Sequence, residues 1–169
     1  MNIKWDADKY TSDFSFVHQY GNGVIDMIAA DKNSTVLDLG CGNGALSKTL
    51  RDKGFIVKGI DASKELLDIA KKNYPDIEFI QADAADFSLP EPVDVVFSNA
   101  VFHWIDKEGQ EDMLKRVHNA LKDNGQFVFE FGGYGNNQII HGALTKVFGE
   151  RNHTYFYNRK YGRERNDNR

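Results

Sequence analysis

The chain holds a single cysteine, Cys41, and only three prolines in 169 residues. One thiol cannot form a disulfide within the chain, which argues against a fold stapled for an oxidising compartment. Scarce proline and the absence of biased tracts exclude a collagen-like or proline-rich extended chain. With 41% apolar and 27% charged residues the composition is that of a folded globular protein. No run approaches the roughly 18 apolar residues of a membrane span. The opening residues "MNIKWDADKY" contain nothing like the apolar core of a signal peptide, so a cytoplasmic location without membrane attachment is expected. No Cys or His cluster has zinc spacing and the acids form no calcium loop, so no metal is expected.

Positive charge is also sparse outside one place. The net charge is −4, but the last eleven residues, "RKYGRERNDNR", carry five basic and two acidic side chains, which leaves −7 on the remainder. A body of that sign does not suit nucleic acid, and the basic stretch lacks interleaved aromatics, so residues 150–169 read as a solvated polar tail. The length fits one domain over residues 1–169.

What is present is alternation. From residue 35 onward, short runs rich in Val, Ile, Leu and Phe alternate with stretches of helical period, as in an α/β sandwich around a parallel sheet covered on both faces. Five strands are expected: Thr35 to Leu39, Phe55 to Ile60, Ile77 to Gln81, Val93 to Asn99 and Gln126 to Phe131. Helices are expected from about Ala45 to Lys53, from after Ser63 as N-cap to about Asn73, and after Asp106, where Met113, Leu114, Val117 and Leu121 recur at helical spacing. Ahead of them, Val17, Tyr20, Val24, Met27 and Ile28 suggest an opening helix, and residues 136–149 a closing one.

Between the first strand and the first helix stands Asp38-Leu39-Gly40-Cys41-Gly42-Asn43-Gly44. Glycines at such a turn leave room for a ligand against bare backbone, so the loop marks a site. Gly40, Gly42 and Ala45 fall in the loose dinucleotide register, and Asp61 lies 21 residues beyond Gly40, where a ribose-binding acid is expected. That spacing alone suits NAD. Asp38 argues otherwise, since a carboxylate beside the loop repels a pyrophosphate but welcomes a cationic ligand. S-adenosylmethionine has an ammonium and a sulfonium at one end and a ribose at the other, which gives each acid a partner.

The D-x-G-x-G-x-G run at 38–44 resembles motif I of the class I S-adenosylmethionine-dependent methyltransferases, and three further segments resemble their signatures in the same order: Gly59-Ile60-Asp61-Ala62-Ser63, Gln81-Ala82-Asp83-Ala84, and Phe97-Ser98-Asn99-Ala100 followed by Val101-Phe102-His103-Trp104. The likeness covers roughly residues 30–135 and is nearest to the small-molecule branch that includes trans-aconitate and malonyl-carrier-protein methyltransferases. It implies a Rossmann-like three-layer α/β sandwich with a mostly parallel sheet and S-adenosylmethionine as cofactor. In that reading Asp38, Gly40, Cys41 and Gly42 hold the methionine end. Asp61 and Ala62 take the ribose, Asp83 and Ala84 the adenine, and Asn99 and Ala100 line the methyl-facing wall. Asp86 competes with Asp83 for the adenine role.

The resemblance further implies that residues 1–30 form a lid over a core at 31–135, with Tyr10 and Phe16 on the cofactor, although aromatics at that density also suit a core. Tyr10, His103 and Trp104 face the acceptor. His103 is the candidate general base, with plain packing as its alternative. A sulfonium is an activated leaving group, so an ionised acceptor such as a carboxylate needs alignment rather than proton removal. Cys41 has no neighbouring His in sequence and reads as loop packing rather than a nucleophile.

Members of the family continue into two further strands. The polar end "NHTYFYNRKYGRERNDNR" supplies neither, so the sheet is expected to lack its final strands and to leave an exposed edge that invites self-association. Two other function classes stay open on the sequence: a non-catalytic cofactor-binding or partner-binding module from a shortened chain, and an NAD-dependent oxidoreductase.

Overall fold

The computed structural model describes residues 21–132. Tyr10, Phe16, the expected closing helix and the polar tail lie outside the described residues. Residues 21–25 are helical, and then β1 (Thr35–Leu39), α1 (Ala45–Asp52), β2 (Ile56–Asp61), α2 (Lys64–Asn73), β3 (Glu78–Gln81), β4 (Val93–Asn99), a short 3-10 turn (Phe102–Trp104), α3 (Lys107–Ala120) and β5 (Leu121–Glu130) follow. Every strand pairing is parallel and the order is β3-β2-β1-β4-β5. The chain winds outward from β1 to β3, then returns to the other side of β1, so the order reverses between β1 and β4. In open parallel sheets that reversal is where ligands settle, beyond the carboxyl ends of the strands.

Alternation along each strand divides the core between the two faces of the sheet. Val36, Val57, Val95 and Phe97 pack with Ile25, Leu46, Leu50, Leu67 and Ala70 on the face covered by residues 21–25, α1 and α2. Leu37, Leu39, Ile60 and Val96 pack with Met113, Val117 and Ala120 of α3 on the other. Full burial of one such aliphatic side chain contributes about 1.5–3 kcal/mol, so β1, buried on both faces, anchors all three layers. No helix among the described residues is long and apolar enough to cross a membrane.

Local chemistry sets the helix starts. The Ser63 hydroxyl accepts from the Leu66 amide at 3.2 Å, and the Asp106 carboxylate accepts from the Gly109 amide at 2.9 Å, each satisfying a first-turn N–H that the helix leaves open. α1 instead starts after Gly44 in the left-handed conformation, with no side-chain cap. Three expectations need correction. Met27 does not sit on a buried face: the helix ends at residue 25 and the Met27 side chain is exposed. Leu114 is exposed as well, because Met113, Val117 and Ala120 form the inward stripe of α3. β5 begins at Leu121, which pairs with Val93, before regular pairing resumes at Val95 with Gln126. Residues 122–125 loop out between these points, with Asn124 at φ 64°. β5 is one edge strand of the described sheet, and Phe129 on it and Phe131 just after it are exposed.

Candidate functional site

The glycine loop is fixed to the end of β2 before any ligand is considered. The Gly40 and Cys41 amides both donate to the Ile60 carbonyl, at 2.7 and 2.9 Å, and the Gly42 amide donates to Asp61 Oδ2 at 2.8 Å. Gly40 (φ 78°) and Gly42 (φ 54°) are left-handed, a conformation that costs other residues about 1–2 kcal/mol. Their surroundings differ. A Cβ on Gly40 would lie 2.2 Å from Val101 Cγ2, whereas one on Gly42 would meet nothing nearer than Leu66 Cδ1 at 3.9 Å. Gly40 therefore lets the loop close on the segment after β4, and Gly42 leaves open space.

Asp61 joins the loop to α2. Its Oδ1 accepts from the Ser63 amide at 2.8 Å while Oδ2 holds Gly42. Burial raises its pKa, and the bonds from the Ser63, Gly42 and Ala62 backbone act in the opposite direction. At the end of β3, Asp83 Oδ1 accepts from the Ala85 amide at 2.8 Å, which turns the chain back. Asp86, the rival acid, points elsewhere and pairs with Arg116 at 2.8 Å.

β4 ends in strain and an unsatisfied amide. Asn99 is 8% exposed, and neither Nδ2 nor Oδ1 of its side chain has a hydrogen-bond partner among the described residues. A buried carboxamide in that state costs free energy, and its usual explanation is a missing ligand or water. Ala100, next in the chain, adopts φ 60°, a left-handed conformation that such a residue keeps only where the surroundings enforce it. Ser98 Oγ donates to the Leu39 carbonyl at 2.9 Å and so locks this end of β4 to the end of β1.

These ends enclose one open cavity of about 490 Å³. Gly40, Gly42, Asp61 and Ala62 form one wall, Asp83 and Ala84 a second, and Asn99, Ala100 and Trp104 a third. Nine expected site residues, drawn from four strand ends, thus meet at the reversal of strand order. Three others do not line it. Asp38 is 2% exposed and lies off the cavity, its Oδ2 accepting from Ser47 Oγ at 2.6 Å. Burial pushes its pKa up to about 7, with the Ser47 bond opposing and nearby Asp61 adding to the rise. Asp38, expected at the methionine end of the ligand, thus stands behind the loop rather than on the cavity lining.

Cys41 turns inward. Its Sγ lies 2.8 Å from where a Cβ on Gly59 would stand, its amide is spent on Ile60, and burial holds the thiol well above its ordinary pKa. That is loop packing, and Cys41, expected at the methionine end, does not line the cavity. His103 is also off the cavity lining, its ring centroid 5.0 Å from that of Trp104. The expected base therefore stands beside the indole that reaches the cavity. Lys64 and Glu65 at the start of α2, and Ile105, Asp106 and Gly109 around the start of α3, line the cavity without having been expected there. Their signal in the sequence was the pair of N-caps, since a helix that starts at a strand's carboxyl end brings its first turn to the same rim. No group of acids, His or Cys among the described residues could hold a metal ion.

Comparison with known proteins points one way. Residues 36–125 match the methyltransferase domain family. An uncharacterized methyltransferase of Schizosaccharomyces pombe is 32% identical over 149 residues, which is 85% of this chain and 57% of that protein. The malonyl-[acyl-carrier protein] O-methyltransferase of Halalkalibacterium halodurans is 34% identical over 115 residues, 62% of this chain and 41% of that one. Among solved structures, a TehB-like methyltransferase of Corynebacterium glutamicum superposes with a TM-score of 0.67 at 23% identity and covers 82% of both chains. The chain spans about half the length of the curated relatives it matches.

Proposed function

The chain belongs to the S-adenosylmethionine-dependent methyltransferases, and from that premise we propose that it transfers a methyl group to a small-molecule acceptor in the cavity at the strand ends. The observation that carries the reading is Asp61: an acceptor carboxylate that braces the glycine loop and lines a 490 Å³ cavity. Two neighbouring hydroxyls of a ribose match that donor demand. The cradle above Gly42, which a Cβ would begin to fill, and the unpartnered carboxamide of Asn99 fit the same nucleoside-bearing ligand.

When bound, S-adenosylmethionine supplies a methyl group on a sulfonium, a leaving group that needs no further activation. In this reading Asp61 with Ala62 holds the ribose, Asp83 with Ala84 the adenine, and Asn99 with Ala100 the wall that faces the methyl group. Asp38 acts from behind Gly40 through its charge rather than by touch. Tyr10 and Phe16, in a lid formed by the part of residues 1–30 ahead of the core-packed residues 21–25, close the site against water. The proposal treats residues 1–169 as one domain with its core at 31–135, and places the chemistry in the cytoplasm, consistent with a single buried thiol.

A dinucleotide fits less well. Its pyrophosphate needs free amides at the glycine loop and helix start, yet the Gly42 amide is occupied by Asp61 and the Ala45 amide faces Asn43 Oδ1 at 3.3 Å. Thermal melting with S-adenosylhomocysteine and, separately, NADH tests the choice. The homocysteine nucleoside is expected to raise the melting temperature by several degrees and NADH to leave it in place. The reverse pattern would exclude the methyltransferase reading.

A further inference from the structure

We propose that Gly21 is a positioning residue for this site: its missing side chain lets the helical residues 21–25 lie against the Asn99 carboxamide and fix the direction in which that amide meets the ligand. The proposal rests on the methyltransferase reading and adds to it a residue that does not itself line the cavity.

Residues 21–25 lie ahead of residues 36–125, which carry the family match. They spend two glycines on a helical turn, although glycine gives up more backbone freedom there than any other residue. The two glycines stand in different surroundings. A Cβ on Gly23, which is exposed, would meet nothing within 4 Å. One on buried Gly21 would lie 2.6 and 2.9 Å from the two Cδ atoms of Leu46 and 3.3 Å from Cγ of Asn99. The first two distances force the end of Leu46 aside, and the third makes the carboxamide give by a few tenths of an ångström.

Neither backbone is placed to retreat. Val24 and Ile25 are buried in the core with Leu46 and Phe97, and just beyond them Gln126 of β5 accepts from the Ala29 amide at 2.9 Å and donates to the Met27 carbonyl at 3.0 Å. Asn99 is paired with Glu130, whose carbonyl accepts from the Ala100 amide at 2.8 Å. What is left to move is the Asn99 side chain. Its terminal torsion is broad in its own preferences, and no hydrogen bond from the described residues holds it, so packing against Gly21 sets its direction. Asn99 lines the cavity, and a turn of its carboxamide changes the donor and acceptor offered there.

The test is a double-mutant cycle on the full chain, read as the Kd of S-adenosylhomocysteine in titration calorimetry. Gly21→Ala and Asn99→Ala are each expected to raise Kd about three- to tenfold, the effect of one misplaced or missing neutral hydrogen bond. The double variant is expected to bind within about twofold of Asn99→Ala alone, because alanine at 21 then has no carboxamide to displace. A packing defect routed only through Leu46 would persist there. Gly23→Ala is the control: it is expected to keep the parent Kd and to raise the melting temperature by about 1–4 °C, since alanine is the better helix former. Leu46→Val removes both Cδ atoms and leaves the Asn99 contact in place, so the same cycle is run in that background if Gly21→Ala alone does not fold. Parent-like affinity of folded Gly21→Ala, parent-like affinity of Asn99→Ala, losses that multiply in the double variant, or failure of Gly21→Ala to fold even with Leu46→Val would each overturn the proposal. Failure of the parent chain to bind S-adenosylhomocysteine would instead overturn the methyltransferase reading beneath it.

Discussion

The Gly42 amide and the Asp61 carboxylate are bonded at 2.8 Å, which ties the glycine loop after β1 to the end of β2. Since Asp61 Oδ1 also takes the Ser63 amide, a single side chain sets the loop, the start of α2 and one wall of the cavity. Neutral residues cannot do the same. Asparagine has one acceptor oxygen and would turn an NH₂ toward one of the two amides.

Asp61→Ala is accordingly expected to weaken S-adenosylhomocysteine binding by about 1.5–3 kcal/mol, the range for hydrogen bonds to a charged group. In titration calorimetry that is roughly a ten- to hundredfold rise in Kd. An unchanged Kd with an intact fold would remove Asp61 from the cofactor site.

Gly40→Ala and Gly42→Ala should separate stability from binding. Both strain a left-handed residue, at about 1–2 kcal/mol each. Gly40→Ala also drives a methyl group to 2.2 Å from Val101, and such overpacking adds about 1–3 kcal/mol. Chemical denaturation is expected to show the larger loss for Gly40→Ala. Gly42→Ala, whose new methyl group faces open space, should chiefly lower ligand affinity. Equal stability losses would contradict the difference in packing.

The order of helices and strands was legible because each strand is buried on both faces and each helix on one, and those demands write continuous apolar runs and helical periods into the chain. Asp61 was legible as a cavity residue from its spacing beyond Gly40, and Asn99 from the resemblance, and both line the cavity. The place of Asp38 behind the loop was not legible. Its charge suggests a contact, but in a parallel strand the alternate residues point to opposite faces, and nothing in a linear sequence says that Ser47, nine residues on, will cover it. Asp106 was read only as the residue before a helix, which it caps, while its place on the cavity rim depends on how the turn after β4 folds. Leu114 was assigned inward from helical spacing with Met113, Val117 and Leu121, although only the stripe through Met113, Val117 and Ala120 meets the sheet.

Asp94 should behave as an acid that stabilises only when charged. It accepts from the Thr35 amide and hydroxyl, both at 2.7 Å, and from Lys122 at 2.9 Å, which ties the starts of β1, β4 and β5 together. Lys122 first, then Thr35, hold its pKa well below the carboxylate range. A depressed folded pKa means that the stabilisation is present above the unfolded value near 3.8 and is lost as pH falls through the folded one. Asp94→Asn is expected to cost about 1–2 kcal/mol in urea at pH 7. That cost should shrink progressively below pH 4.

Asp38 should show the opposite sign. Its pKa is pushed from 3.8 up to about 7, chiefly by burial, so between those values the folded chain holds a proton that the unfolded chain has lost. Stability from this group is full below about pH 4 and falls away as pH rises to 7, at about 1.4 kcal/mol per pH unit. Asp38→Asn keeps an acceptor for Ser47 without a charge to bury, so its stability relative to the parent is expected to rise by roughly 3 kcal/mol between pH 5 and 8. A cationic ligand end near the loop would favour the ionised carboxylate and draw the pKa back down. Binding of S-adenosylmethionine near pH 6.5 should therefore release protons, which calorimetry in two buffers of different ionisation enthalpy measures directly. Release in the parent and none in Asp38→Asn is the expected result. If the parent released none, the positive end of the ligand could not lie over this carboxylate, and the methionine half would have to be placed elsewhere in the cavity.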